Sequence, residues 1–285
     1  MAKRIDVHHH YIPPAYLEGN LRDPRPQGSI RMAYAQMDPR LGYILLERSA
    51  RRPSKLSRQI NEYGASLAAK DPSKYGFFAA IPDPCEDMSA VLEEIRYSLK
   101  TLKADGITLY SRYGNDNHYL GHPDLRPLWE KLEKHHAIVF VHPTHTVDTN
   151  LANPHLPMPI FDYCHETGRA GVDLLMSSPS IIRTVAPSVK IILSHAGGDF
   201  PHLITRVATT LPDAGLTSYT SEQMTQDAKK FYFDTALSSN KNQLDLLLKF
   251  VDLSGYFLGP ISRSRRGRAS IPSRGIWVSM RWMTG

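Results

Sequence analysis

The 285-residue sequence predicts an α/β protein, a (β/α)8 TIM barrel whose last helix is missing or replaced by a basic tail. Two observations predict it. Short apolar or β-branched runs recur eight times with helical segments between them, and the composition does not break before residue 260. Eight such units fit a chain of about 250 residues closed into one barrel, which sets the domains as 1–260 for the barrel and 261–285 for the tail. A doubly wound open sheet is the other arrangement of alternating elements, but no Gly-rich phosphate loop follows the first run.

The eight predicted strands are Arg4–His9, Gly42–Glu47, Tyr75–Ile81, Gly106–Tyr110, Ala137–His142, Val189–His195, Phe231–Ala236 and Gly255–Gly259. Helical stripes separate them. Leu56, Ile60, Tyr63 and Leu67 recur at three or four residues ahead of Asp71–Pro72, and Val91, Ile95, Leu99 and Leu102 do so within Asp87–Lys103. Leu125, Leu128, Trp129 and Leu132 follow a Pro-Asp start in Pro123–His135, and Leu244, Leu247, Leu248 and Val251 line Asn240–Val251. NLANPHLPMP, Asn150–Pro159, reads as a long loop, because its prolines resist both helix and ladder.

Bulk numbers exclude several classes. The net charge of +6 lies in the tail: beyond residue 260 stand six arginines (Arg263, Arg265, Arg266, Arg268, Arg274, Arg281) and no acid, leaving 28 basic residues to balance 28 acidic ones. A neutral body gives no phosphate-binding face, so no nucleic-acid partner is expected. No apolar run nears the ~20 residues that cross a bilayer, and no secretory signal opens the chain, so neither a membrane nor export is expected and the cytosol is the default. Cys85 and Cys164 stand in no metal-type spacing and read as buried thiols. The tail lacks an apolar stripe and reads as disordered, an arm for a membrane or nucleic acid being the functional alternative.

The chemistry is expected at strand ends. In RIDVHHHYIP, Arg4–Pro13, side chains alternate between faces, so His8 and His10 share one side and could hold one cation, although a run of three histidines also matches an expression tag. VFVHPTHT places His142, and IILSHAGGDFP places His195, where an apolar strand runs into a polar or Gly-rich turn. Functional groups of a closed barrel gather at that C-terminal face. Neutral imidazole suits zinc and related divalent ions, which makes His8, His10 and His142 candidate ligands; His195 is either a fourth ligand or, as preferred, a proton carrier beside the metal.

These motifs together, with RQINEYGA at Arg58–Ala65, resemble the amidohydrolase-related decarboxylases, relatives of aminocarboxymuconate semialdehyde decarboxylase. Within that family, RIDVHHHYIPPAY and HPTHT look most like the fungal 6-methylsalicylate decarboxylases. The resemblance implies a (β/α)8 barrel, one catalytic divalent metal, zinc or manganese, and a homodimer. It also implies His8, His10 and His142 as ligands, His195 beside the metal, and loss of carbon dioxide from a small aromatic acid such as 6-methylsalicylate.

The family's aspartate after strand eight, in a run resembling FGTDFP, is a further ligand and proton donor. Here GYFLG runs into PISRSRRGRASIPSRG, and no acid follows Asp252. Asp252 precedes the strand and so falls at the other end of the barrel; Asp199 and Asp234 are the nearest carboxylates on the correct face, the first expected as a helix cap and the second as a structural group. SARRPSKLS at 49–57 stands where the family has a longer substrate-facing loop, so the sequence does not identify the acid. Two further readings stay open: hydrolysis of an amide or lactone by the same metal site, and a non-catalytic variant of the fold.

Overall fold

The computed structural model describes residues 53–72, 75–114, 118–144, 152–153, 155–156, 158–238 and 240–251. The predicted strands Arg4–His9, Gly42–Glu47 and Gly255–Gly259, and the basic tail, lie outside the described residues, as do His8 and His10. The remaining five predicted strands are all present. They are β1 (Phe78–Ala80), β2 (Gly106–Tyr110), β5 (Ile138–His142), β6 (Lys190–Leu193) and β7 (Tyr232–Phe233), with a small antiparallel ribbon, β3 (Arg112–Tyr113) and β4 (His118–Tyr119), inserted after β2. That ribbon carries no signal in the sequence, since two-residue strands show no periodicity.

All five main strands are parallel, in the order β1-β2-β5-β6-β7. Each therefore pairs with the next in sequence. A doubly wound sheet reverses its order at a switch point; among the described residues this one does not, which is the winding of a barrel wall. The strands alternate strictly. Ile107, Leu109, Val139, Val141 and Leu193 are fully buried toward the helices, whereas Thr108, Tyr110, Phe140, His142 and Ile192 line the opposite face in register.

The helices covering the outer face are α1 (Pro53–Ala68), α2 (Met88–Lys100), α3 (Arg126–Glu133), α4 (Asp162–Met176), α5 (Phe200–Asp213), α6 (Ser221–Ala228) and α7 (Lys241–Phe250). Asp87 starts α2 by accepting the Ala90 N–H at 2.9 Å, and Asn240 starts α7 by accepting from Gln243. Leu125, Leu128, Trp129 and Leu132 are all fully buried, as the stripe predicts, and the Trp129 indole N–H donates to the Leu120 carbonyl at 2.7 Å. Each such side chain contributes roughly 1.5–3 kcal/mol through burial.

One stripe differs from expectation. On α1 the predicted Leu56 and Ile60 are only partly buried, and the face against β1 and α2 carries Ser57, Asn61 and Gly64. The reason is polar. The Asn61 amide pairs with both backbone groups of Ala80 at 2.8 Å, and donates to Glu94 Oε1 at 2.7 Å. Arg58 donates to Glu94 Oε2 at 2.8 Å while lying 3.6 Å over the Tyr97 ring. Much of RQINEYGA is therefore a tie between α1, β1 and α2.

Candidate active site

Register brings the site together. Tyr110 pairs with His142, and Ser194 and Asp234 continue β6 and β7 at the same level, so the C-terminal ends of four strands present Tyr110, His142, Ser194 and Asp234 on one rim. β6 stops at Leu193, so His195 is not on a strand; it opens a single helical turn, His195–Gly197. His195 through Gly198 all have positive φ, at 56°, 57°, 75° and 60°. That left-handed run is uncommon for residues with a side chain and must be held by its surroundings.

Asp234 supplies the hold. Its Oδ1 accepts the N–H of His195 at 3.1 Å and of Ala236 at 2.7 Å, while its carbonyl accepts the Ala196 N–H at 2.8 Å. Ser238 adds a hydroxyl bond to the His195 carbonyl at 3.1 Å. Asp234, fully buried, is thus a positioning group for the turn, in line with the structural role read from the sequence. Asp199 stands at the start of α5, but its side chain makes no capping bond. Its Oδ2 is instead 2.6 Å from His165 Nδ1 on α4, and burial pushes its carboxyl above the usual range against that partner.

The His142 and His195 rings lie edge to face with centroids 5.5 Å apart. His142 Nδ1 is 2.7 Å from the Pro143 carbonyl. A carbonyl only accepts, so Nδ1 carries the hydrogen and the ring's lone pair is on Nε2, the tautomer that ligating histidines adopt. His195 is 4% exposed and so is almost sealed from bulk water. By the chemistry of these donors, the residues present fit a divalent ion. The structure brings His142 and His195 together; the assignment of His8 and His10 falls outside the described residues.

A second buried set supports this rim, and sequence reasoning missed it. Glu166 on α4, 1% exposed, accepts from Ser111 Oγ at 2.9 Å and from the Tyr119 hydroxyl at 3.1 Å, with Arg112 Nε at 3.7 Å. Ser111 in turn donates its N–H to the His142 carbonyl at 3.0 Å and accepts from Thr144 at 3.3 Å. Burial raises the Glu166 carboxyl, with the hydroxyl bonds pulling the other way. Its position within HETGRA on a helix gave no spacing signal.

Aromatic groups wall the rim. Tyr163 lies edge-on to His142 at 6.0 Å, and Phe140 adjoins it at 6.3 Å. Burial pushes the phenols of Tyr110 and Tyr163 up to about 12 from an ordinary 10.0. In the unfolded chain both ionise near 10, so the folded state keeps protons that the unfolded state releases. Stability from these phenols is complete below pH 10 and lost as pH rises toward 12. Urea midpoints of Tyr110→Phe/Tyr163→Phe should therefore fall less between pH 9 and pH 11 than those of wild type; equal losses would contradict the assignment.

Elsewhere, neither cysteine forms a disulfide, but Cys85 is exposed rather than buried, because it sits on the turn after β1. Residues 152–153 and 155–156 are irregular, as the prolines predict, and a single helical turn begins at Met158. Among the described residues, no helix is long and apolar enough to cross a membrane.

Comparison with known proteins agrees with the geometry. Residues 5–241 match the Amidohydrolase family model. The 6-methylsalicylic acid decarboxylase of Penicillium expansum is 44% identical over 268 residues, covering 88% of this chain and 81% of the relative. Among solved structures, a 2,6-dihydroxybenzoate decarboxylase complexed with 2,6-dihydroxybenzoate superposes with a TM-score of 0.70 at 18% identity, covering 92% of this chain and 89% of the other. A dihydroxybenzoic acid decarboxylase from Polaromonas sp. JS666, with bound manganese and the inhibitor 2-nitroresorcinol, gives a TM-score of 0.62 at 19% identity, covering 74% and 65%. At these identities the solved structures speak to the barrel fold alone.

Proposed function

The chain belongs to the Amidohydrolase family, and from that premise we propose that it is a carboxy-lyase, a metal-dependent non-oxidative decarboxylase of a small aromatic carboxylic acid such as 6-methylsalicylate. The observation that carries the proposal is the pairing of His142 and His195 at one strand-end rim, within a chain 44% identical to a 6-methylsalicylic acid decarboxylase. His8, His10 and His142 would hold one divalent ion, zinc or manganese, and His195 would carry the proton. When bound, that ion supplies positive charge that fixes the substrate's carboxylate and neighbouring oxygen. The enzyme would work in the cytosol as a homodimer, in secondary metabolism.

The reaction needs a proton on the ring carbon that bears the carboxylate. That carbon gains the proton, its bond to the carboxyl carbon breaks, and the bonding pair returns to the ring as carbon dioxide leaves. His195 is suited to hold the proton, since an imidazole nitrogen can both take up and release one and Asp234 fixes its backbone. Phe140 and Tyr163 adjoin His142, and Tyr110 pairs with it across the strands, an aromatic wall that would receive a ring and exclude water.

The missing strand-eight aspartate limits this chain. Asp234 Oδ1 is engaged with the His195 turn and Asp199 Oδ2 with His165, so each carboxylate already has one oxygen committed to a structural partner. Reduced turnover is therefore expected, and Pro260→Asp should raise it. The test is carbon dioxide release from 6-methylsalicylate by metal-loaded wild type and Pro260→Asp. A gain of tenfold or more supports the proposal, taking about 10²-fold as the low end for a general acid. Hydrolysis of a lactone without carbon dioxide release would replace it with a hydrolase, and metal uptake without turnover in both proteins would leave a non-catalytic fold.

A further inference from the structure

A second set of ligand-type side chains lies outside the site above. Among the described residues, His118, His122 and Asp124 are the one group of three or more whose donor atoms all fall within 4.8 Å of one another. Cys85 flanks the group at its His118 end, its Sγ 3.2 Å from His118 Nδ1, without falling within that 4.8 Å of all three donors. Asp124 Oδ2 lies 3.6 Å from His122 Nδ1 and 4.0 Å from His118 Nδ1. Ligand atoms around a tetrahedral ion with bonds of about 2.0–2.3 Å are spaced roughly 3.3–3.8 Å apart; these three separations are close to that spacing, and Cys85 has to draw in toward His122 and Asp124 to complete the set.

Three separate segments supply the four groups. Cys85 comes from the turn after β1, His118 from β4 and His122 with Asp124 from the start of the turn leading into α3. The turn that carries the thiol is fixed: Asp83 accepts the Cys85 N–H at 2.8 Å through Oδ1, and the Gly114 N–H at 3.4 Å through Oδ2. Gly114, at φ 67°, leaves room for the sulfur, because a Cβ there would stand 3.1 Å from Sγ. The His118 and His122 rings are stacked, with centroids 3.8 Å apart and planes 15° apart. Parallel rings do not aim two in-plane lone pairs at one point, so filling the site requires one imidazole to turn about Cβ–Cγ. That torsion is broad and both rings are partly exposed, at 20% and 36% for the side chains, which leaves space for the turn.

We propose that Cys85, His118, His122 and Asp124 form a binding site for a second divalent ion of the zinc type, separate from the ion at His142. One sulfur, two imidazole nitrogens and a carboxylate oxygen match the borderline-soft ions and not magnesium or calcium, which take oxygen alone. Coordination releases the thiol proton to solvent and closes the loop after β1 onto the ribbon after β2.

Cobalt tests it, because a thiolate-bound Co2+ ion gives a near-ultraviolet charge-transfer band that histidine and carboxylate ligands do not give. The protein is the untagged full chain carrying Cys164→Ser, which leaves Cys85 as the sole thiol. The band should grow to one equivalent per chain and vanish in Cys85→Ser. His118→Ala and Asp124→Asn should each weaken the cobalt affinity read from that band by at least about tenfold. Circular dichroism checks that these surface variants fold. Absence of the band up to millimolar Co2+ overturns the proposal, as does an affinity unchanged by His118→Ala and Asp124→Asn, which would mean a solitary thiol binding the ion.

Discussion

His142→Ala should strip the protein of its catalytic-site ion, while His195→Gln should keep the ion and lose turnover. The first expectation rests on the tautomer that the Pro143 carbonyl fixes, with the His142 lone pair on Nε2. On the proposed assignment one of three ligands is removed, and with an open catalytic coordination shell no spare protein donor replaces it. Carbon dioxide release from 6-methylsalicylate should become undetectable. In His195→Gln the three ligands remain and the proton carrier goes, so turnover should fall on the order of 10²–10⁴-fold. Elemental analysis of Cys85→Ser backgrounds of wild type and both variants separates the roles without counting the thiol site. Full metal content in His142→Ala would remove that residue from the ligand set, and loss of metal in His195→Gln would make His195 the fourth ligand.

Asp234→Ala carries the second large effect. The carboxylate is fully buried and accepts two backbone N–H groups, one of them that of His195. Truncation leaves both donors buried and unpaired, at about 1–3 kcal/mol each, and leaves the left-handed turn with the backbone bond to the residue-234 carbonyl and the Ser238 hydroxyl as its remaining ties across the rim. A loss of about 2–5 kcal/mol in unfolding free energy is expected, with decarboxylation falling further than the loss of folded protein explains. Asp234→Asn keeps an oxygen at the same place and should recover most of both. If the alanine variant unfolds with an unchanged urea midpoint, the bonds to the turn are not what keeps it in place.

The barrel winding was legible because its signals are local and additive. Tyr75–Ile81 through Phe231–Ala236 each contain a strand, and Val91, Ile95, Leu128 and Leu132 are buried as their spacing predicts. His142 and His195 were legible as histidines where an apolar run ends, and the structure brings their rings together. Polar partners across the fold were not. The α1 face was misread because Asn61 and Ser57 fill positions that periodicity reserves for leucine, an exchange made possible by the buried Glu94 carboxylate 33 residues from Asn61. Glu166 was invisible for the same reason, its partner Ser111 lying 55 residues away. Cys85 and His118, 33 residues apart, meet only because the loops after β1 and β2 share one end of the sheet.

The glycine pair after His195 has a further meaning for anyone altering this enzyme. A methyl group on Gly198 would press to 2.0 Å from the Cys164 carbonyl of α4, and the residue's φ of 60° already disfavours any side chain. Helix and loop meet at one clearance there, so the backbone that carries the His195 imidazole takes its position from a neighbour with no chemistry of its own. Redesign for a bulkier acid should begin on the aromatic wall, since widening that seam would tilt the imidazole before it admitted anything larger.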